Sequence, residues 1–155
     1  MTKLEDIDKE EKQIYVAYTG LFLEENKGLL LSSVLPVFDK VYAHHLTLVY
    51  KPKDGLDGIE IGREVKVKIV GQVIDQDIGI QACVLETSDD FKSNNEHPHI
   101  TISAREGVPP FKSNEAIEKA YSNSTVIIFD KPIEITLKEG FFNGSKAITK
   151  KETSF

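Results

Sequence analysis

Residues 96–103 read EHPHITIS and residues 44–49 read HHLTLV, and together these two stretches contain all four histidines of the 155-residue chain. Each stretch holds one four-residue pattern: histidine, an aliphatic residue, threonine and a second aliphatic residue. Four histidines and nine threonines predict only about 0.2 His-x-Thr triplets by chance, so two copies favour a shared role. The alternation of polar and apolar residues in each copy indicates a β-strand.

Strand geometry separates the polar residues of these motifs from the apolar ones. Residues i and i+2 of a strand point to the same face, so His45 and Thr47 share one face while the aliphatic residues turn to the core. The same geometry applies to His99 and Thr101. If the two strands are neighbours, two imidazoles and two hydroxyls meet in one cleft.

Two imidazoles and two hydroxyls suit the hydrolysis of a phosphoester. The unperturbed pKa of histidine is about 6.5, so one imidazole can accept a proton from water while another protonates the leaving oxygen. The threonine hydroxyls can donate hydrogen bonds to phosphate oxygens and hold the phosphorus in line. Tyr15 and Tyr18, on the first predicted strand, would be able to stack on a base, although packing is the commoner role. This chemistry needs no cofactor, and we expect none.

Composition narrows the class of protein and of partner. The chain is 40% hydrophobic and 28% charged, as in globular domains, and it has no apolar run of about 18 residues, so we expect no membrane partner. A net charge of −6 argues against wrapping long nucleic acid but permits a short anionic ligand. The charged start MTKLEDIDKEEKQ lacks a signal core, and the single Cys83, expected as a small buried residue, suits a reducing cytoplasm.

The pattern along the chain predicts an α+β domain with largely antiparallel sheets. Residues 1–13 are expected to form a flexible N-terminal lead, and residues 14–155 a single domain. Helices are expected within 26–38 and from Ser113, which, like Asn114, is expected to cap its helix. Strands are expected at 14–23, 44–50, 64–75, 79–86, 99–103, 125–129 and 133–137.

Other polar residues near the motifs are weaker candidates for substrate binding. Lys51 and Ser103 continue the strand alternation, although a solvated strand end is the commoner position for such residues. Arg105 has a planar guanidinium that suits phosphate oxygens. His44 and His97 fall outside the alternation, so we expect both at the rim without a catalytic role.

A zinc site is an alternative interpretation of the same histidines. His97 and His99, together with His44 or His45, would offer several nitrogen ligands. His44 and His45, however, are adjacent and so point to opposite faces of the strand, and no acidic residue completes a recognised zinc-binding pattern. We therefore expect no metal.

The two motifs resemble the paired H-x-[ST]-aliphatic motifs of the two-histidine (2H) phosphoesterases. Residues 96–117, EHPHITISAREGVPPFKSNEAI, are most similar to the second-motif region of the cyclic phosphodiesterase domain of fungal and plant tRNA ligases. The resemblance extends over about residues 14–138. It implies a two-lobed fold in which antiparallel sheets line a central cleft and helices pack outside.

The resemblance also implies an activity: metal-independent hydrolysis of 2′,3′-cyclic phosphates, on RNA ends or nucleotides, to a 2′-phosphate. His45 and His99 would form the acid–base pair, and Thr47 and Thr101 would contact the phosphate. We expect an RNA terminus or a cyclic nucleotide as substrate, a role in RNA repair or processing, and a monomer. One alternative is a related enzyme that degrades cyclic oligonucleotide or ADP-ribose cyclic phosphate signals. Another is a non-catalytic module that binds a nucleotide or RNA end in the same cleft.

Overall fold

The computed structural model describes residues 15–86 and 88–150, so the lead expected at residues 1–13 lies outside the described residues. Within these ranges the chain forms eight strands: β1 (Tyr18–Phe22), β2 (Lys40–Val41), β3 (His45–Tyr50), β4 (Glu64–Asp75), β5 (Ile80–Leu85), β6 (His99–Ala104), β7 (Ile127–Phe142) and β8 (Ala147–Ile148). The helices are a 3-10 turn at Glu24–Asn26, α1 (Lys27–Ser33) and α2 (Lys112–Ser122). No described helix has the length and apolar character needed to cross a membrane.

Most predicted elements are present, and the two main differences involve proline. The helix predicted within 26–38 ends at Ser33, and Val34 is already extended; a continuation would meet Leu35, which disfavours helical backbone because it precedes Pro36. The strands predicted at 125–129 and 133–137 form one strand, β7, whose pairing with β4 is irregular between Ile128 and Ile133. Pro132 lies in that irregular part, where a residue without an N–H interrupts no regular ladder.

Six strands close into an antiparallel ring in the order β1-β3-β6-β5-β4-β7, and β7 returns to pair with β1. The protein is therefore mostly β-structure with two short helices, which agrees with the α+β expectation in its general form. The pairing places both motif strands in one ring, and it does not show the two-lobed arrangement that the resemblance implied. Ring closure depends on the double pairing of β1, which no local sequence pattern reveals.

The two motif strands meet at a single point. β3 and β6 are joined only by the pair Leu46 and Ile100, whereas every other neighbouring pair of strands in the ring is joined along at least five residue pairs. Beyond this point β3 and β6 make no further ladder pairs with each other. This single pair sets the register of the two HxT strands, and a groove remains between their outer faces.

The core lies on both sides of the ring wall. The aliphatic residues of the motifs, Leu46 and Ile100 among them, are fully buried inside the ring. On the outer face, α2 packs Ala116 and Ile117 into a second buried cluster with Val84 of β5. Val84 is the register partner of His99, so the motif histidine of β6 shares the face that α2 covers. This packing brings the start of α2 beside the β6 motif.

Candidate active site

The two motifs lie on antiparallel strands on either side of the groove. Their central residues, Leu46 and Ile100, are antiparallel register partners, and both turn into the core. The flanking polar residues of each motif therefore point outward. Because the strands run in opposite directions, the histidine of each motif lies on the side of the other motif's threonine. The expected sharing of one face by each His and Thr agrees with this geometry.

All four motif residues line one cavity of about 630 Å³: His45, Thr47, His99 and Thr101. Its volume falls within the range of about 300–1,000 Å³ typical of small-molecule sites. Aromatic side chains form much of the remaining wall: Tyr18, Tyr42, Tyr50 and Phe111. The structure thus brings together the four residues that the sequence singled out, in an environment that combines a few polar groups with apolar rings.

His45 is held mainly by side chains. Its Nε2 lies 3.1 Å from Thr47 Oγ1, and its ring stacks on Tyr18 with 4.5 Å between the centroids. Burial, together with the nearby His44 and His99, lowers the pKa of His45 to about 4. Burial also raises the pKa of Tyr18 to about 12, so its hydroxyl, 3.4 Å from His45 Nδ1, keeps its proton. In the unliganded cavity His45 is therefore neutral at neutral pH.

His99 is held by the backbone. Its Nδ1 lies 2.9 Å from the carbonyl oxygen of His97, and because a carbonyl only accepts, Nδ1 must donate. In the neutral imidazole Nε2 then carries the lone pair. Burial lowers the pKa of His99, and the bond to the His97 carbonyl opposes this shift in part. At neutral pH, His99 has the protonation state of a general base.

Thr101 is held by α2 through a contact that the sequence did not predict. Its Oγ1 lies 2.7 Å from Ser113 Oγ, and Ser113 is fully buried. The prediction that Ser113 and Asn114 cap the helix is therefore wrong. Helix α2 begins at Lys112, one residue before Ser113. Its N-cap residue is Phe111, which makes no side-chain capping hydrogen bond. Asn114 instead donates to the Phe111 carbonyl and lines the cavity.

The structure does not bring the weaker substrate-binding candidates to the cavity. Ser103 is fully buried and donates to Gln81 Oε1 at 2.6 Å. Arg105 donates to the carbonyl of Gln76 at 2.6 Å, away from the motifs. Lys51 has a positive φ of 48°, which ends the alternation of β3, and its ammonium lies over the ring of the preceding tyrosine. We therefore do not propose these three residues as substrate contacts.

The two remaining histidines differ in position. His44 lines the cavity and is exposed, a position compatible with the rim, and burial and the charge of Lys27 lower its pKa. It precedes β3, so the alternation of that strand does not decide its direction. His97 lies outside the cavity, with Nε2 3.2 Å from Glu118. With Glu96 these two form the one group of three possible metal ligands among the described residues, and no other histidine belongs to it.

Two aromatic residues of the cavity wall were not predicted from the sequence. Tyr50 and Phe111 are 66% and 68% exposed, although such rings are usually buried, and both line the cavity. Tyr18 stacks on His45, in agreement with the packing role that was expected as the commoner one, and Tyr15 does not line the cavity. The signal for Tyr50 was its place at the end of the motif strand; Phe111 had none beyond the adjacent prolines.

Comparison with known proteins shows a match to a protein family. A family model described as the fungal tRNA ligase phosphodiesterase domain matches residues 8–134, which is most of the chain. The matched segment includes both HxT motifs and the strands and helix that build the cavity, β1, β3, β6 and α2. None of the proteins with curated functions matches the chain significantly.

Proposed function

The chain belongs to the family of fungal tRNA ligase phosphodiesterase domains, and on this basis we propose that it hydrolyses 2′,3′-cyclic phosphates of RNA ends or nucleotides. The observation that carries the proposal is the convergence of two separate His-x-Thr motifs on one cavity. A cyclic phosphate needs an acid on one side of the phosphorus and a base on the other, and the opposed motifs supply one imidazole to each side.

The threonines would bind the two non-bridging phosphate oxygens. Ser113 can donate its proton to Thr101 Oγ1, which leaves the Thr101 proton free to point at the phosphate. Thr47, beside His45 Nε2, would act in the same way from the opposite strand. Hydrogen bonds in a largely apolar cavity stabilise a developing negative charge more strongly than they do in water.

The anchoring of the histidines supports an assignment of their roles. His99, with Nδ1 committed to a carbonyl, would take a proton from water at Nε2 while the water oxygen bonds to phosphorus. The bond from phosphorus to O3′ breaks, and His45 would give its proton to O3′, leaving a 2′-phosphate. His45 is neutral in the empty cavity, so its protonation depends on the substrate: the phosphate's negative charge raises its pKa.

Incubation of the purified protein with 2′,3′-cyclic AMP, with and without EDTA, tests this proposal. We expect 2′-AMP to accumulate at the same rate in both samples. His45→Ala and His99→Ala should each lower kcat by about 10²–10⁴-fold, the usual contribution of a general acid or base. Thr47→Ala and Thr101→Ala test the two threonines in the same assay. Thr125→Ala, which changes a threonine outside the cavity, is their matched control.

Four results would contradict the proposal. Activity that disappears with EDTA would require a metal. Full activity in either histidine variant would remove the acid–base pair. Turnover of cyclic oligonucleotides without turnover of 2′,3′-cyclic nucleotides would assign the same chemistry to a different substrate, and tight binding without turnover would favour a binding module.

A further inference from the structure

A second pocket adjoins the candidate active site. It encloses about 280 Å³ and shares two wall residues, Tyr18 and His44, with the larger cavity. Its other walls include Lys27 at the start of α1 and the aromatic rings of Phe22 and Phe142. The two compartments therefore lie side by side, separated by one tyrosine and one histidine. Both compartments are therefore within reach of one extended ligand only if it passes these two side chains.

The smaller pocket contains a lysine ammonium, that of Lys27. Among the described residues, the ammonium of Lys27 forms no salt bridge or side-chain hydrogen bond. The carboxylate in the same pocket, Glu24, is already engaged: it accepts a hydrogen bond from Thr149 at 2.6 Å and lies 3.9 Å from Lys138 Nζ. Lys27 is thus available to an anionic ligand, and its charge already reaches His44 on the shared wall.

The aromatic wall continues from one compartment to the other. The rings of Tyr18 and Phe142 stack with 5.2 Å between their centroids, and the ring of Phe22 lies 6.2 Å from that of Tyr18. Aromatic faces are suitable surfaces for a base, because every base has a π-face. An anion contact and an aromatic surface together match the components of a nucleotide.

We propose that this pocket is a subsite for the second nucleotide of an RNA end, with its phosphate at Lys27 and its base or ribose against the half-buried ring of Phe142. The inference rests on the proposed function, which places the terminal cyclic phosphate between the two HxT motifs. The next phosphate of an RNA strand is one nucleotide away, and the adjoining pocket holds the ammonium of Lys27, which has no ionic partner among the residues that the structure describes. The protein's net charge of −6 fits recognition of a short strand end rather than a long duplex.

This subsite distinguishes an RNA end from a mononucleotide. A cyclic mononucleotide has one phosphate, which the HxT motifs would hold, so Lys27 has nothing to bind. A dinucleotide that ends in a 2′,3′-cyclic phosphate carries one more phosphate, and Lys27 would lower its KM. The chemical step would be the same for both substrates, so kcat should not depend on Lys27.

The experiment compares Lys27→Gln with the wild type on 2′,3′-cyclic AMP and on an ApA dinucleotide with a 2′,3′-cyclic phosphate end. We expect KM for the dinucleotide to rise about five-fold while kcat and the mononucleotide KM stay unchanged. Lys27→Arg, which keeps the charge, should retain the low dinucleotide KM. Lys40→Gln, on the exposed strand β2 outside both compartments, controls for the loss of one positive charge.

The outcomes separate the two proposals. An unchanged dinucleotide KM in Lys27→Gln, or an equal rise for both substrates, would overturn the subsite and leave the phosphodiesterase proposal intact. A wild-type protein that hydrolyses neither substrate would overturn the phosphodiesterase proposal itself. An equal effect of Lys40→Gln would assign the result to net charge and so also overturn the subsite.

Discussion

The HxT motif of β3 and the HxT motif of β6 share one pattern, yet the protein holds them by different means. His45 is packed between rings and hydroxyls, with Tyr18 stacked on it and Thr47 at 3.1 Å. His99 is fixed by a backbone carbonyl, and its threonine is bound to Ser113 of α2. A backbone anchor fixes which nitrogen carries the proton, whereas side-chain packing lowers the pKa without fixing it. This difference supports the different roles that we propose for two histidines that look equivalent in the sequence.

Removal of both histidines should give the largest effect and test whether the motifs act as one unit. We expect His45→Ala and His99→Ala each to lower kcat by about 10³-fold, and the double variant to lose little more than either single variant. The measurement is single-turnover hydrolysis of 2′,3′-cyclic AMP, with circular dichroism to verify folding. Losses that simply multiply would mean that the two imidazoles act independently.

The pH dependence should show the next largest effect. The pKa values of His45 and His99 are both lowered in the unliganded protein, that of His45 to about 4. Because one imidazole must be protonated for catalysis, kcat/KM should peak below pH 6.5 and fall about ten-fold per pH unit on the alkaline side. The optimum of kcat should lie at higher pH, since bound phosphate raises the pKa of the acid. Coincident optima would show that the substrate does not change the protonation of the acid.

A double-mutant cycle can sharpen the contrast between the two threonines. Ser113→Ala should lower kcat by about three- to ten-fold, because Thr101 loses the hydroxyl that orients it. Ser113→Ala should add nothing to Thr101→Ala but should multiply the effect of Thr47→Ala, which has no link to Ser113. Equal coupling to both threonines would indicate that Ser113 acts through folding, which urea denaturation of each variant would show.

The smallest effect should be on stability. The native state favours neutral His45, with a pKa of about 4, whereas an unfolded histidine titrates at about 6.5. As the pH falls from 6.5 towards 4, the unfolded chain binds a proton that the native protein does not, so stability is lost. His45→Gln should remove about 1–2 kcal/mol of this loss between pH 7.5 and pH 5, measured by urea unfolding. An identical pH dependence in wild type and variant would contradict the assigned pKa.

The sequence predicted best where a local pattern is also the tertiary one. Strand β4 spans the predicted residues 64–75, because Val65 and Val67 alternate with polar residues along a strand with one buried face. Strand β7 was predicted as two strands, since Pro132 is a break locally but is accommodated in an irregular part of one long strand. Closure of the ring by β1 depends on partners distant in sequence, and no local pattern contains that information.

The candidate site shows the same division. The four HxT residues were predicted because strand alternation alone decides which way they point. Ser113 was misread because a serine at the start of a helix usually caps it, and only its contact with Thr101 shows otherwise. His44 lies just outside β3, where alternation no longer applies, so its direction could not be predicted. Lys27 gave no signal, since the role proposed for it depends on a pocket formed by the fold rather than on a motif.

The single residue pair between β3 and β6 has a mechanical consequence. Every other pair of neighbouring strands in the ring is joined along several residue pairs, so we expect local opening of the ring to be easiest between β3 and β6. His45 and His99 lie on opposite sides of this junction. A phosphate bound from both sides would link β3 to β6 where residue pairs are missing, so substrate binding would also close the ring.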